Sequence, residues 1–298
     1  MSSRERKRKE SSSPESRYRE TATRQLRDLI SCLNRDSSNV ERIRISVEEQ
    51  GADPNIVNLA GYTPLMVIIN TWGNGEIGRP FYDKIIRTFE FLVGRADVDV
   101  LVADLVGNMA IHFAVLAKNS IFLRILLGNI NVRRNIDIGT LIMGHSAIHT
   151  ACNETYTPIE NIKLLLSAGA DPNKQCPYFG RTPLQFLMQT RGLAPRYTDW
   201  VIAVLHVFFE CPTLRLGDPS IRDVGSDTLL HIAARDMRSR RVIEMLLDKG
   251  EGANMGAQNN VGDTPMAAAT RANNAPAIDA LQNYIRRRRF GRGTFGIA

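Results

Sequence analysis

Apolar residues recur along this chain in short blocks at helical spacing, separated by polar, glycine-rich turns. Ile162-Lys-Leu-Leu-Leu-Ser and Val242-Ile-Glu-Met-Leu-Leu are two such blocks, and their pattern predicts amphipathic helices. A recurring turn introduces other blocks: Gly-Tyr-Thr-Pro-Leu at 61–65, Gly-Arg-Thr-Pro-Leu at 180–184 and Gly-Asp-Thr-Pro-Met at 262–266. Degenerate copies are Gly-Asn-Met-Ala-Ile-His at 107–112, Gly-His-Ser-Ala-Ile-His at 144–149 and Asp-Thr-Leu-Leu-His at 227–231. Thr63 and Thr182 each precede a proline that opens an apolar run. That is a helix N-cap followed by proline at the first helical position, where no N–H is needed. Gly51, Gly169 and Gly250 follow apolar runs, as a left-handed C-cap requires. Gly-Ala-Asp-Pro-Asn at 51–55 and again at 169–173 supplies turn chemistry. Each unit is therefore predicted to be a turn, an inner helix and an outer helix. One unit cannot bury its apolar face alone, so the units must stack.

The threonine-equivalent positions are 63, 109, 146, 182, 228 and 264, in steps of 46, 37, 36, 46 and 36. These motifs resemble the ankyrin repeat family, whose unit has about 33 residues and a Thr-Pro-Leu-His signature. Six copies in register, preceded by a partial capping repeat over 24–50, cover 24–286. The resemblance implies an all-α, ankyrin-repeat solenoid of about seven helix-turn-helix units joined by hairpin loops. The expected domains are a disordered basic tail at 1–23, the repeat domain at 24–286 and an Arg/Gly-rich basic tail at 287–298. Every step exceeds the family's unit. The two long steps place insertions near 71–82 and 189–200, where Gly and Pro content predicts loops. The insertions and the Gly-Ala-Asp-Pro-Asn motifs are each three repeats apart, which suggests duplication of a three-repeat block. Trp72, Tyr82, Tyr197 and Trp200 flank the insertions. They either contribute to binding or plug gaps between helices.

Charge narrows the functional classes. The net charge of the 298 residues is +7, but residues 1–24 carry +4, residues 286–298 carry +5, and 25–285 carry −2. A globally basic nucleic-acid-coating domain is disfavoured. The four cysteines form no CxxC pair, which disfavours a zinc site or a disulfide scaffold and suits a reducing compartment. The polar start reads as no secretory signal. The densest apolar run, around Trp200–Cys211, contains His206 and Glu210 and is too short for a membrane span. The expected protein is soluble, nuclear and/or cytoplasmic, and not membrane-bound.

No nucleophile elbow, phosphate loop or His-Glu-x-x-His motif occurs. No catalytic, cofactor-binding or metal-binding residues are assigned, and the chain is expected not to be an enzyme. The resemblance implies that His112, His149 and His231 tie neighbouring loops together. His206 is expected to be packed, and His145 to lie at a turn tip. Partners of the family usually meet hairpin tips and the exposed side of inner helices. Carried over by position, this gives Leu59, Tyr62, Asn108, Met143, His145, Tyr178, Phe179, Arg181, Asp227 and Asp263 at tips, with Asn70, Glu154, Gln189, Arg235 and Arg271 at helix ends. Tyr178-Phe179-Gly180-Arg181 is the foremost candidate, because aromatic and arginine side chains dominate hot spots.

The tails carry separate chemistry. Arg6, Lys7, Arg8 and Lys9 form a cluster beside Ser13-Pro14, a candidate phosphorylation site whose phosphate would mask it. Arg286, Arg287, Arg288, Arg289 and Arg292 are interleaved with phenylalanines, as in flexible RNA-contacting segments. A nucleic acid or an import receptor is the expected tail partner. The expected function is a protein-interaction scaffold with its partner along the repeat groove. An I-kappa-B-like inhibitor is an alternative, although no Asp-Ser-Gly degron-like motif is present and the last residues are basic. An RNA- or chromatin-associated protein is another. A ubiquitin-ligase adaptor finds no F-box or SOCS-box segment.

Overall fold

Threonine caps and prolines set the inner helices of a computed structural model that describes residues 13–31, 38–75, 80–154, 157–189 and 197–291. Thr63 is extended (φ −74°, ψ 165°) and its hydroxyl accepts the Met66 N–H, which starts the helix at Pro64. Thr264 does the same for Ala267 ahead of Pro265. The inner helices are short and apolar nearly all round: in Pro64–Trp72, residues 64–69 and Trp72 are buried. Outer helices bury one stripe only, such as Val242, Ile243, Leu246 and Leu247, as an amphipathic helix on a core must.

The described residues are all helix and turn, and they divide into two units. Unit 1 holds residues up to Ile136 and 140–142, and unit 2 holds 137–139 and Met143 onward. Unit 1 contains α1 (Pro14–Ser31), α2 (Ser38–Glu48), α3 (Pro64–Trp72), α4 (Pro80–Gly94), α5 (Ala110–Leu116), α6 (Ile121–Gly128) and the short α7 (Ile130–Arg134). Inner helix α3 packs on α5, and the outer helices α2, α4 and α6 pack in succession. Tyr82, Phe89 and Phe122 lock this outer layer, with Phe89 edge-on to Phe122 at 5.0 Å.

Unit 2 contains four pairs: α8 (Ala147–Asn153) with α9 (Ile159–Ser167), α10 (Pro183–Gln189) with α11 (Thr198–Phe209), α12 (Leu229–Asp236) with α13 (Arg240–Lys249), and α14 (Pro265–Arg271) with α15 (Ala275–Gly291). A 3-10 turn, Glu251–Gly256, follows α13. Inner helices α8, α10, α12 and α14 pack in order, as do outer helices α9, α11, α13 and α15. No described helix is long and apolar enough to cross a membrane.

Several boundaries differ from expectation. Helix α1 begins at Pro14, so residues 14–23 are helical and continue the capping helix. Ser13 caps it, its Oγ accepting the Ser16 N–H at 3.1 Å. Helix α15 runs through Gly291, so Arg287–Arg289 are helical and are not part of a tail. Both insertions join an inner helix to its outer partner, and helices absorb their ends: Thr71 and Trp72 belong to α3, 80–82 to α4, and Thr198–Trp200 to α11. Trp72 and Tyr82 are buried. The Tyr82 hydroxyl accepts from Asn119 Nδ2 at 2.8 Å, and burial raises its pKa. Trp200 Nε1 donates to the Thr157 carbonyl at 3.0 Å. These aromatics pack. His206 does not: it is exposed on α11.

Candidate interaction surface

Four of the hairpins that precede inner helices close by one device. Asn58 N–H donates to the Tyr62 carbonyl, Asp104 to Asn108, Asp223 to Asp227 and Asn259 to Asp263, at 2.9–3.1 Å. The same four side chains accept turn N–H groups. Asp104 Oδ1, for example, takes Val106 N at 3.0 Å and Asn108 N at 2.7 Å. The residue three places on is left-handed: Gly61 (φ 80°), Gly107 (φ 91°), Ser226 (φ 59°) and Gly262 (φ 81°). Serine at 226 explains why that repeat lacks the glycine of the others. Gly107 is obligatory, because a Cβ there would lie 2.1 Å from the Leu141 N.

Such turns aim side chains outward from rigid backbone. In unit 1 Leu59, Leu105 and Leu141 are 95%, 74% and 77% exposed; in unit 2 Tyr178, Val224 and Val261 are 64%, 65% and 68% exposed. Of these six, Leu59 and Tyr178 were expected from the sequence. The other four precede the left-handed residue of their turns by one to three places, an offset too variable to find by counting alone.

Histidines fasten successive loops. His149 Nδ1 faces Ser146 Oγ at 2.8 Å, and Nε2 lies 2.9 Å from the Lys174 carbonyl and 3.1 Å from that of Arg181. Burial lowers its pKa to about 4. His231 repeats the arrangement, with Thr228 on Nδ1 and the Asp263 carbonyl on Nε2. In α10 Gln185 takes the role: its Oε1 accepts Thr182 N at 2.8 Å and its Nε2 donates to the Asp227 carbonyl at 3.2 Å. His112 Nδ1 accepts the Met109 N–H. The asparagines of the two Gly-Ala-Asp-Pro-Asn motifs also bridge pairs. Asn55 spans Asp97 O and Asp99 N at 2.7 Å each, and Asn173 spans Thr213 O and Arg215 N at 2.8 Å each. Sequence reasoning saw only turn residues there.

Among the remaining sequence candidates, several engage one another eight residues apart. Asp227 pairs with Arg235 at 2.6 Å and Asp263 with Arg271 at 2.7 Å, while Arg181 Nη1 bonds Gln189 Oε1. Tip and helix end thus form internal pairs, with Asp227 and Asp263 buried. Arg181 is no free anchor: its side chain is 14% exposed and its Nε holds the 1%-exposed Asp223 carboxylate at 3.0 Å. Phe179 is half-buried beneath it, and its carbonyl accepts Val224 N. His145 is half-buried, edge-on to Phe186 at 4.6 Å, and burial lowers its pKa. Tyr62 is half-buried against Phe113, and Asn108 is tied to Asp104. Asn70 and Glu154 are exposed, as is Met143 at the last turn.

The motif, its cap chemistry and the loop-tying imidazole agree with two family models. One, described as ankyrin repeats in many copies, matches residues 148–188; the other, ankyrin repeat, matches 226–260. Those two stretches are ankyrin repeats, and the described residues have the fold of an ankyrin repeat solenoid. The chain is similar in fold to the ankyrin repeat domain of Bcl-3, titled a unique member of the IkappaB protein family. That likeness has a TM-score of 0.58 at 21% identity and covers 86% of this chain and 97% of that one. No curated protein matches the sequence.

The basic clusters near the two ends complete the inventory. Arg6, Lys7, Arg8, Lys9 and Arg292 lie outside the described residues. Arg286–Arg289 are exposed on α15, where about 100° per residue fans them around the helix. Arg287 reaches Glu244 at 4.0 Å, and Arg288 lies over Tyr284. Among the described residues no group of three His, Cys, Asp or Glu side chains could hold a metal ion.

Proposed function

We propose that this chain is a non-enzymatic scaffold that holds a protein partner on its hairpin tips and the exposed side of its inner helices. The observation that carries this is the set of exposed apolar tip residues on hydrogen-bonded turns. Apolar side chains held outward from ordered backbone bind without a loop-ordering cost, and repeated exposed apolar groups mark interaction sites. Asp227–Arg235 and Asp263–Arg271 shape the flank beside the tips of unit 2 and set which charges a partner must match. Affinity capture by the full chain, compared with Leu59→Asp/Tyr178→Asp, tests this: partners should be lost while the melting temperature stays the same. Partners retained in full by the variant would refute it.

Two finer readings each have one supporting observation. The likeness to the Bcl-3 repeat domain supports an I-kappa-B-like inhibitor of a transcription factor, acting in nucleus and cytoplasm. The exposed Arg286–Arg289 run supports polyanion binding or import-receptor recognition. Its fanned geometry offers one flat surface only Arg286 and Arg289. Nucleic-acid binding by the Arg run should fall steeply with salt and disappear in Arg286→Ala/Arg289→Ala. Salt-insensitive binding would point to the repeats instead.

A further inference from the structure

We infer that the tips of unit 1 receive an amphipathic helix of the partner, aliphatic at heptad spacing and uncharged on its docking face. This rests on the scaffold reading above and names the chemistry of what the scaffold holds.

Three leucines form the ridge. A Cβ on Gly61 would lie 2.8 Å from the Leu105 N, and a Cβ on Gly107 2.1 Å from the Leu141 N. Leu105 and Leu141 therefore each set their N–H beside the glycine of the preceding hairpin, and at Gly107 the Leu141 Cβ and Cγ lie there too. Leu59 precedes Gly61 by two residues, as Leu105 precedes Gly107. All three side chains are largely exposed, and so are Val106 and Ile142 beside them.

The ridge lacks charge. Residues 56–62 and 140–142 contain no ionisable group except the Tyr62 phenol, and 101–109 contain only Asp104, whose side chain is buried and bonded within its own turn. The tips of unit 2 differ: Lys174 and Arg222 stand among them. An acidic peptide or a nucleic acid would find no cation on the unit 1 ridge. A partner charged on its docking face would lose hydration there without compensation.

Spacing selects a helix. Helices of successive pairs pack about 8–10 Å apart, and the main-chain contact at the glycines carries that step to the tips. One heptad of helix advances about 10.5 Å, so aliphatic residues seven apart meet consecutive leucines. An extended strand places same-face side chains about 6.6–6.8 Å apart and falls out of register after one step.

The test is selection of displayed 21-residue helical peptides on the full chain, followed by fluorescence anisotropy of the enriched peptides. Expected peptides carry aliphatic residues at heptad spacing. Their affinity should fall at least tenfold with each of Leu59→Asp, Leu105→Asp and Leu141→Asp, at unchanged melting temperature. If Leu141→Asp destabilises the fold, Leu141→Thr serves with the same expectation. Peptides that tolerate the triple variant but are lost with Tyr178→Asp/Val224→Asp would overturn the inference and leave the scaffold reading intact. A concentration-dependent dimer abolished by the triple variant would also overturn it, in favour of a second copy. If no peptide binds either unit, both fall.

Discussion

His149 links stability to pH in a way that its neighbour Gln185 allows to be isolated. The imidazole is buried between its own N-cap and the next loop, with Nε2 on two carbonyls. Burial lowers its pKa from 6.5 to about 4, so the unfolded chain binds the proton more tightly than the folded one. The stability from a neutral His149 is fully present above pH 6.5 and is lost as pH falls through about 4. A difference of that size is worth roughly 3 kcal/mol when complete, and about 2 kcal/mol at pH 5. His149→Gln removes the titration and keeps the tie, because Gln185 already bonds an N-cap N–H and the next loop's carbonyl. Repeat arrays can open piecewise, so the readout is amide exchange of α8 and α9 between pH 7 and pH 5. The opening free energy of the parent should drop by about 2 kcal/mol more than that of His149→Gln. The imidazole shift of His149 in NMR should move only near pH 4. Parallel pH profiles for the two proteins, or titration near 6.5, would refute the reasoning.

Other expectations follow from local geometry. Gly107→Ala meets backbone at 2.1 Å and a left-handed φ, whereas Gly262→Ala meets only the φ cost; Gly262→Ala should lose about 1–2 kcal/mol and Gly107→Ala clearly more, by urea unfolding. Asn173→Ala strands the Thr213 carbonyl and the Arg215 N–H. It should cost about 1–3 kcal/mol, measured by the same unfolding, with Asn55→Ala behaving alike. Arg181→Ala removes the ion partner of buried Asp223 and should lower the melting temperature. Tyr178→Ala, at an exposed tip, should leave the unfolding free energy within about 0.5 kcal/mol of the parent.

Much of the fold was legible because the Thr-Pro turns and apolar blocks are local signals. Residues 63–69 carry cap, proline and apolar run within seven positions, and the helix follows. The outer boundaries were not legible. Residues 14–23 and 287–291 are polar, and polarity alone does not distinguish a solvated helix from a tail. Gln185 escaped notice because its role is defined by two bonds, not by residue type. Arg181 shows the same limit: its residue type suits a hot spot, and its bond to Asp223, 42 residues away, is not visible in the sequence. The tip leucines 105 and 141 required knowing which glycine touches which backbone, and this is a long-range fact.

Photo-crosslinking tests the central claim most directly. Benzoylphenylalanine placed in the full chain at Leu59, Leu105, Tyr178 or Val224 should capture the partner in cells. At the exposed outer-helix positions Lys84 and Lys163 it should capture nothing. Crosslinks confined to the outer helices, or none at any tip, would contradict a scaffold that works through its hairpin tips.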